Sequence, residues 1–115
     1  MSKGQLIELC KISDLQDPGS MGFDIEVNGR EVNLFVVHKY GEFFAYINSC
    51  PHRRSPLEWQ EHEFLDTDKD FIQCSTHDAL FEIPTGLCIK GPCVGESLSP
   101  IRIEQQADSL HVRLG

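Results

Sequence analysis

Short runs of β-branched and aromatic residues, broken every few positions by turn residues, make up most of this chain. Residues 23–27 alternate apolar and polar side chains, and residues 31–38 follow Asn28-Gly29 with a continuous apolar centre. An Asn-Gly pair between two such runs is a strong signal for a hairpin turn. The pattern therefore predicts two antiparallel strands joined at Asn28-Gly29.

The rest of the chain follows the same pattern, and helix is scarce. We expect an edge strand near the start, then a loop with turn residues at Asp17-Pro18-Gly19, and further short strands to the end of the chain. The edge strand is predicted at 6–12, the loop at 13–21, and the later strands at 43–47, 71–73, 80–83, 101–104 and 109–114. The fold class predicted is all-β.

Two of these strands lead into pairs of potential metal ligands. The strand at 43–47 precedes Cys50-Pro51-His52, and the strand at 71–73 precedes Cys74-Ser75-Thr76-His77. Thiolates and imidazoles bind the same soft or borderline metals, and four of them at short spacing converge only if two loops face each other across a metal. Cys50, His52, Cys74 and His77 are the predicted metal and cofactor ligands.

The order of the ligands favours a binuclear centre. A zinc finger normally pairs cysteine with cysteine and histidine with histidine, whereas each loop here contains one of each. In a mixed arrangement each loop gives one ligand to each of two metal atoms. A single zinc ion remains the alternative, and His38, His62 and His111 are interpreted as strand or surface residues.

These ligand pairs resemble those of the Rieske family, whose [2Fe–2S] cluster has two cysteines on one iron and two histidines on the other. The resemblance covers nearly the whole chain and implies an antiparallel β-sandwich with a small cluster-binding lobe of two loops. Residues 1–115 would form one domain, with the lobe at about 48–93. One cluster per chain is implied, with the thiolates on the buried iron and the imidazoles on the outer iron.

The resemblance also bears on the reduction potential. High-potential respiratory members have serine and tyrosine hydroxyls that donate hydrogen bonds to sulfur, and a disulfide between the two loops. The corresponding positions here are Ala79 and Phe81 for the hydroxyls, and Ser55 and Thr76 for the disulfide. We therefore predict a low-potential, ferredoxin-type centre within the family range of roughly −150 to +300 mV.

A few positions depart from the family or allow two interpretations. Arg54 and Asp78 stand where small residues are common, which indicates a divergent subgroup. Gly91-Pro92 resembles the proline-containing loop that shields the cluster in this family, and an ordinary turn is the alternative. Phe64 and Leu65, with Trp59, are expected to pack the segment between the ligand pairs against the lobe.

Composition narrows the class of partner. Ten basic and eighteen acidic residues give a formal charge of −8, which argues against nucleic acid or an anionic membrane surface as a partner. Without a long apolar run or a signal sequence at the start, the chain is expected to be cytoplasmic. The five cysteines include two predicted ligands, and Cys10, Cys88 and Cys93 are interpreted as reduced, partly buried thiols.

The sequence thus predicts an electron-transfer protein rather than an enzyme, with no small-molecule substrate of its own. The expected partners are a flavin or iron–sulfur reductase and a separate terminal oxygenase, because too few residues follow Cys93 to build a second iron domain. Two alternatives remain. The chain could be a fixed subunit resembling the small subunit of nitrite reductase, or a zinc-stabilised binding module without a redox role.

Overall fold

In the computed structural model, residues 5–27, 29–49, 51, 57, 62–74 and 79–114 are described. They form two antiparallel sheets, one of six strands and one of three. The six-stranded sheet has the order β1-β9-β8-β4-β3-β2, and the three-stranded sheet has the order β5-β6-β7. The strands are β1 Gln5–Lys11, β2 Gly19–Val27, β3 Arg30–Lys39, β4 Glu42–Ile47, β5 Phe71–Gln73, β6 Leu80–Glu82, β7 Cys88–Lys90, β8 Pro100–Gln106 and β9 Ser109–Leu114.

Alternate residues of β3 explain why its centre is apolar on both faces. Leu34 and Val36 lie in the core of the six-stranded sheet, whereas Phe35 and Val37 lie in a second core shared with the three-stranded sheet. Side chains alternate between the two faces of a strand, so a strand covered on both sides must be apolar throughout. β3 therefore separates the two cores of the molecule.

The second core joins the two sheets. Tyr46 on β4 donates a hydrogen bond from its hydroxyl to the carbonyl of Ile83, just after β6, at 2.6 Å. Phe35 stacks on Phe64 with the ring centroids 4.4 Å apart. The three-stranded sheet is thus packed on β3 and β4, and the predicted all-β, two-layer architecture is confirmed.

Most of the predicted strands are present, with two differences. The predicted loop at 13–21 is wrong in its last part, because β2 already begins at Gly19. The ten-residue β3 pairs with it back to Gly19, which lies opposite His38, so tertiary pairing overrides the weak strand propensity of this glycine-rich segment. Strand β7 was not predicted, because three residues before Gly91 give too short a pattern.

Candidate metal centre

The first ligand-bearing segment is closed at its base by Asn48, the only buried polar residue among those the structure describes. Its backbone N–H donates to the carbonyl of Asn33 at 2.9 Å, and its side-chain amide donates to Asn33 Oδ1 at 2.8 Å. Asn48 Oδ1 accepts the backbone N–H of Leu57 at 2.8 Å. The two ends of the segment at 49–56, which contains Cys50 and His52, are therefore joined through Asn48, and Asn48 is bonded to β3.

The second ligand-bearing segment is the connection between β5 and β6. The Cys74 N–H donates to the carbonyl of Ala79 at 2.9 Å, next to the paired residues Gln73 and Leu80. This bond closes the four-residue segment 75–78, which contains His77. The predicted ligands Cys74 and His77 therefore belong to the connection between two paired antiparallel strands.

Both closures lie in one core. Leu57 from the first closure and Cys74 and Ala79 from the second are each fully buried, and all three belong to the core between the two sheets. The two ligand-bearing segments therefore start from a common base, as a two-loop metal site requires.

The turn after β7 packs against the second ligand-bearing segment. A Cβ added to Gly91 would lie 2.8 Å from Ala79 Cα and 3.0 Å from Ala79 Cβ, so the turn after β7 packs directly against the end of the segment. Gly91 has φ of +104°, a conformation that favours glycine. The Gly91-Pro92 turn is thus placed beside the second ligand loop, although its predicted shielding role stays a prediction.

Of the four predicted ligands, Cys74 is described, and its side chain is completely buried. Cys50, His52 and His77 lie outside the described residues, so their convergence stays a prediction. A buried thiol suits the inner, thiolate-bound iron of a Rieske cluster, and a set of two thiolates and two imidazoles matches that cofactor. The residues present therefore fit a [2Fe–2S] cluster.

The remaining histidines have other surroundings. His38 Nδ1 lies 2.9 Å from the carbonyl of Leu15, and His62 Nδ1 accepts the Gly22 N–H at 3.0 Å. His111 lies on β9. His38 lies on β3 and His62 is exposed, so the three histidines have the strand or surface positions predicted for them.

Some of the residues used to predict the reduction potential are described in the structure, and others are not. Ala79 and Phe81 are fully buried in the shared core and provide no hydroxyl donor there. Ser55, Thr76, Arg54 and Asp78 lie outside the described residues, as does Trp59. Phe64 and Leu65 are buried in the same core, which confirms their predicted packing.

Sequence reasoning missed Asn48 and the pairing of Cys88 with Cys93. Asn48 follows a strand and precedes the predicted ligand Cys50 by two residues, which could have marked it as a loop-closing residue. The spacing of Cys88 and Cys93 around Gly91 could have indicated a turn that brings two thiols together. In the structure Cys93 Sγ lies 2.8 Å from Cys88 Sγ.

A β-sandwich whose two predicted ligand segments are closed on a common base is the architecture expected of an iron–sulfur electron-transfer protein. Residues 5–106 match the family described as the Rieske [2Fe-2S] domain. The chain belongs to this family. The predicted fold, the Rieske-type [2Fe–2S] cofactor and the electron-carrier class are therefore confirmed.

The relatives include a curated protein and several solved structures. The biphenyl dioxygenase ferredoxin subunit of Pseudomonas sp. (strain KKS102) is 32% identical over 97 residues, which cover 83% of this chain and 81% of that protein. The ferredoxin of carbazole 1,9a-dioxygenase from Nocardioides aromaticivorans IC177 is similar in fold, with a TM-score of 0.73 and 18% identity over 96% of this chain and 99% of that one.

The same fold also occurs as part of a larger chain. The terminal oxygenase of carbazole 1,9a-dioxygenase from Novosphingobium sp. KA1 matches with a TM-score of 0.77 and 13% identity, over 97% of this chain but 30% of that one. The fold is therefore shared by ferredoxins and by one part of an oxygenase. Over the described residues, no helix is long and apolar enough to cross a membrane.

Proposed function

We propose that Cys50, His52, Cys74 and His77 hold one Rieske [2Fe–2S] cluster. The observation that carries this proposal is the common base of the two ligand-bearing segments, since Leu57, Cys74 and Ala79 share one buried core. When bound, the cluster supplies a one-electron couple. The role of the chain is to exclude water around the thiolate side, as the buried Cys74 indicates, and to fix the spacing of the two segments. The whole chain would be one domain, with the lobe at about 48–93.

We further propose that the protein is a cytoplasmic ferredoxin that passes electrons from a reductase to a terminal oxygenase. Its similarity to the biphenyl dioxygenase ferredoxin subunit over most of both chains supports this role. One solved structure with a TM-score of 0.72 and 22% identity is described as a complex of reduced oxygenase and oxidised ferredoxin in carbazole 1,9a-dioxygenase. That partnership supports an oxygenase as acceptor here.

A low reduction potential is part of the same proposal. Hydrogen bonds to the cluster sulfurs raise the potential of a Rieske centre, and Ala79 and Phe81 cannot donate them through a side-chain hydroxyl. We expect a midpoint in the lower half of the family range, measured by a spectroscopic redox titration. A midpoint in the upper half would contradict the proposal.

The ligand set is tested by substitution and electron paramagnetic resonance. Purified protein should contain iron and acid-labile sulfide in equal amounts and show a Rieske signal when reduced. His52→Ala and His77→Ala should each abolish that signal, whereas His62→Ala should retain it because His62 bonds the backbone of β2 instead. A colourless protein that contains zinc and no sulfide would establish the binding-module alternative.

The carrier role is tested with a defined acceptor. Protein reduced with dithionite and separated from the reagent is mixed with the oxygenase component of a biphenyl dioxygenase, and oxidation of the ferredoxin is followed by stopped-flow absorption. We expect fast oxidation whose rate increases with oxygenase concentration. If the protein instead remains in a large reductase complex on gel filtration of cell extract and does not react, the fixed-subunit alternative holds.

A further inference from the structure

Two cysteines that the metal site does not use lie against each other beneath the second ligand-bearing segment. Cys88 and Cys93 are 1% and 0% exposed, and the thiol of Cys93 donates to Cys88 Sγ with the sulfurs 2.8 Å apart. Cys88 Sγ in turn lies 3.2 Å from the carbonyl of Lys90, to which its thiol donates. The two thiols are thus close enough to react with each other.

Backbone hydrogen bonds hold the two residues in this position. The Cys88 N–H donates to the Glu96 carbonyl at 2.8 Å, and the Glu96 N–H donates to the Cys93 carbonyl at 2.9 Å. The Gly95 N–H donates to the Cys88 carbonyl at 3.3 Å. A disulfide has an S–S bond of about 2.05 Å, so the sulfurs need to move less than 1 Å closer to bond.

We propose that Cys88 and Cys93 form a reversible intramolecular disulfide, and that the oxidant is a low-molecular-weight disulfide such as oxidised glutathione. One cysteine thiolate attacks the external disulfide, which breaks its S–S bond, releases one reduced thiol and leaves a mixed disulfide. The second cysteine then attacks the first cysteine's sulfur and releases the second reduced thiol. Two electrons pass to the oxidant, and the two cysteine protons end on the released thiols.

The position of the pair gives the modification a structural consequence. Gly91 lies between the two cysteines and packs against Ala79, the residue that closes the second ligand-bearing segment. A disulfide would fix the turn that supports this segment. The bond itself does not depend on the proposed electron-transfer role, because it involves only the thiols and the external oxidant.

Cys10 provides an internal control. It lies on β1 and packs against the core of the six-stranded sheet, away from the shared core that contains Cys88 and Cys93. Burial raises the pKa of the Cys10 thiol, and the nearby carboxylates of Asp14 and Glu8 raise it further. Because no other described cysteine belongs to the core of the six-stranded sheet, Cys10 can form only a mixed disulfide in a glutathione buffer. Cys74 is the competing thiol within the shared core.

The test equilibrates the cluster-containing protein with reduced and oxidised glutathione at a fixed ratio and at two total concentrations. Samples are quenched with acid, alkylated, digested and analysed by peptide mass spectrometry. An internal disulfide depends on the square of the reduced glutathione concentration. We therefore expect a Cys88–Cys93 cross-linked peptide whose ratio to the alkylated form halves when both glutathione concentrations are doubled. The visible spectrum confirms that the cluster remains.

Three outcomes would overturn the proposal. The first is alkylation of Cys88 and Cys93 to the same extent as Cys10, and the second is a cross-link to Cys74. The third is an oxidised fraction that does not change with total glutathione, because that result signifies mixed disulfides with glutathione. In Cys88→Ser, whose hydroxyl still donates to the Lys90 carbonyl, we expect the cross-link to vanish. If Cys88→Ser does not fold, Cys93→Ser provides the same comparison. Cys10→Ser should leave the cross-link unchanged.

Discussion

Two glycines in one turn allow the contact beneath the second ligand-bearing segment to be measured. Gly91 and Gly95 have φ of +104° and +95°, so alanine at either position is strained by a similar backbone conformation. The added methyl group differs in its surroundings. At Gly91 it would lie 2.8 Å from Ala79 Cα, whereas at Gly95 it would meet nothing within 4 Å.

The difference between the two alanine variants therefore isolates the steric clash. Backbone strain of this kind costs about 1–3 kcal/mol and is common to both variants. Overpacking against Ala79, whose backbone cannot move aside easily, adds about 1–3 kcal/mol for Gly91→Ala alone. We expect Gly95→Ala to lose about 1–3 kcal/mol of unfolding free energy and Gly91→Ala to lose roughly 2–6 kcal/mol.

Urea denaturation followed by circular dichroism measures these losses. With a slope of about 1–3 kcal/mol per molar urea, the clash lowers the midpoint by roughly 1 M relative to Gly95→Ala. The visible absorption of the cluster should also be lost at a lower temperature in Gly91→Ala, because the turn supports a ligand-bearing segment. Equal urea midpoints for the two variants would refute the inference that this turn packs tightly against Ala79.

Further predictions concern three variants of residues around the site. Burial raises the pKa of Tyr46 to about 12. The stability that comes from the neutral phenol is therefore fully present below pH 10, and about 3 kcal/mol is lost as the pH rises through 12. Denaturation midpoints of Tyr46→Phe should lack this alkaline loss. At neutral pH the same variant should lose about 1–3 kcal/mol because the Ile83 carbonyl is left without its donor. Asn48→Ala should lower stability by roughly 1–3 kcal/mol and release iron faster in a chelator assay, because the Leu57 N–H loses its acceptor. Phe81→Tyr places a hydroxyl in the shared core, and redox titration should show a higher midpoint; an unchanged midpoint would show that the hydroxyl does not reach a sulfur.

The local pattern of the chain was sufficient to predict most strands and the places where the ligand-bearing segments begin. The hairpin around Gly29 follows from a turn signal between two runs of strand-forming residues, and both depend on neighbouring residues alone. The position of Cys74 at a strand end follows for the same reason.

Contacts between distant parts of the chain could not be predicted in this way. Asn48 is identified by its bonds to Asn33 and Leu57, which are fifteen and nine residues away. The early start of β2 depends on the length of its partner strand, and the approach of Cys93 to Cys88 depends on how the turn packs. These features come from tertiary structure, which a single sequence does not encode in its local periodicity.

The sheet order has a further consequence for how the molecule is built. Strands β4 and β8 are neighbours in the six-stranded sheet, yet residues 48–99 lie between them in the chain. The entire three-stranded sheet with both ligand-bearing segments is therefore an insertion within what would otherwise be a hairpin. Relative to a four-residue turn, closing a connection of this length costs about 2 kcal/mol more in chain entropy.

Within the part of the chain that the structure describes, β4 and β8 pair Ala45 with Ile101 and Tyr46 with Pro100, and the Ile47 N–H donates to the Ser99 carbonyl at 2.9 Å. These pairs provide little energy to offset the entropy that is lost when the long connection between β4 and β8 is closed. If the inserted residues are already folded, most of that entropy has been lost before the two strands meet. Formation of the lobe and joining of the two halves of the large sheet are therefore expected to occur together. Loss of the metal would then weaken a sheet that contains none of its ligands.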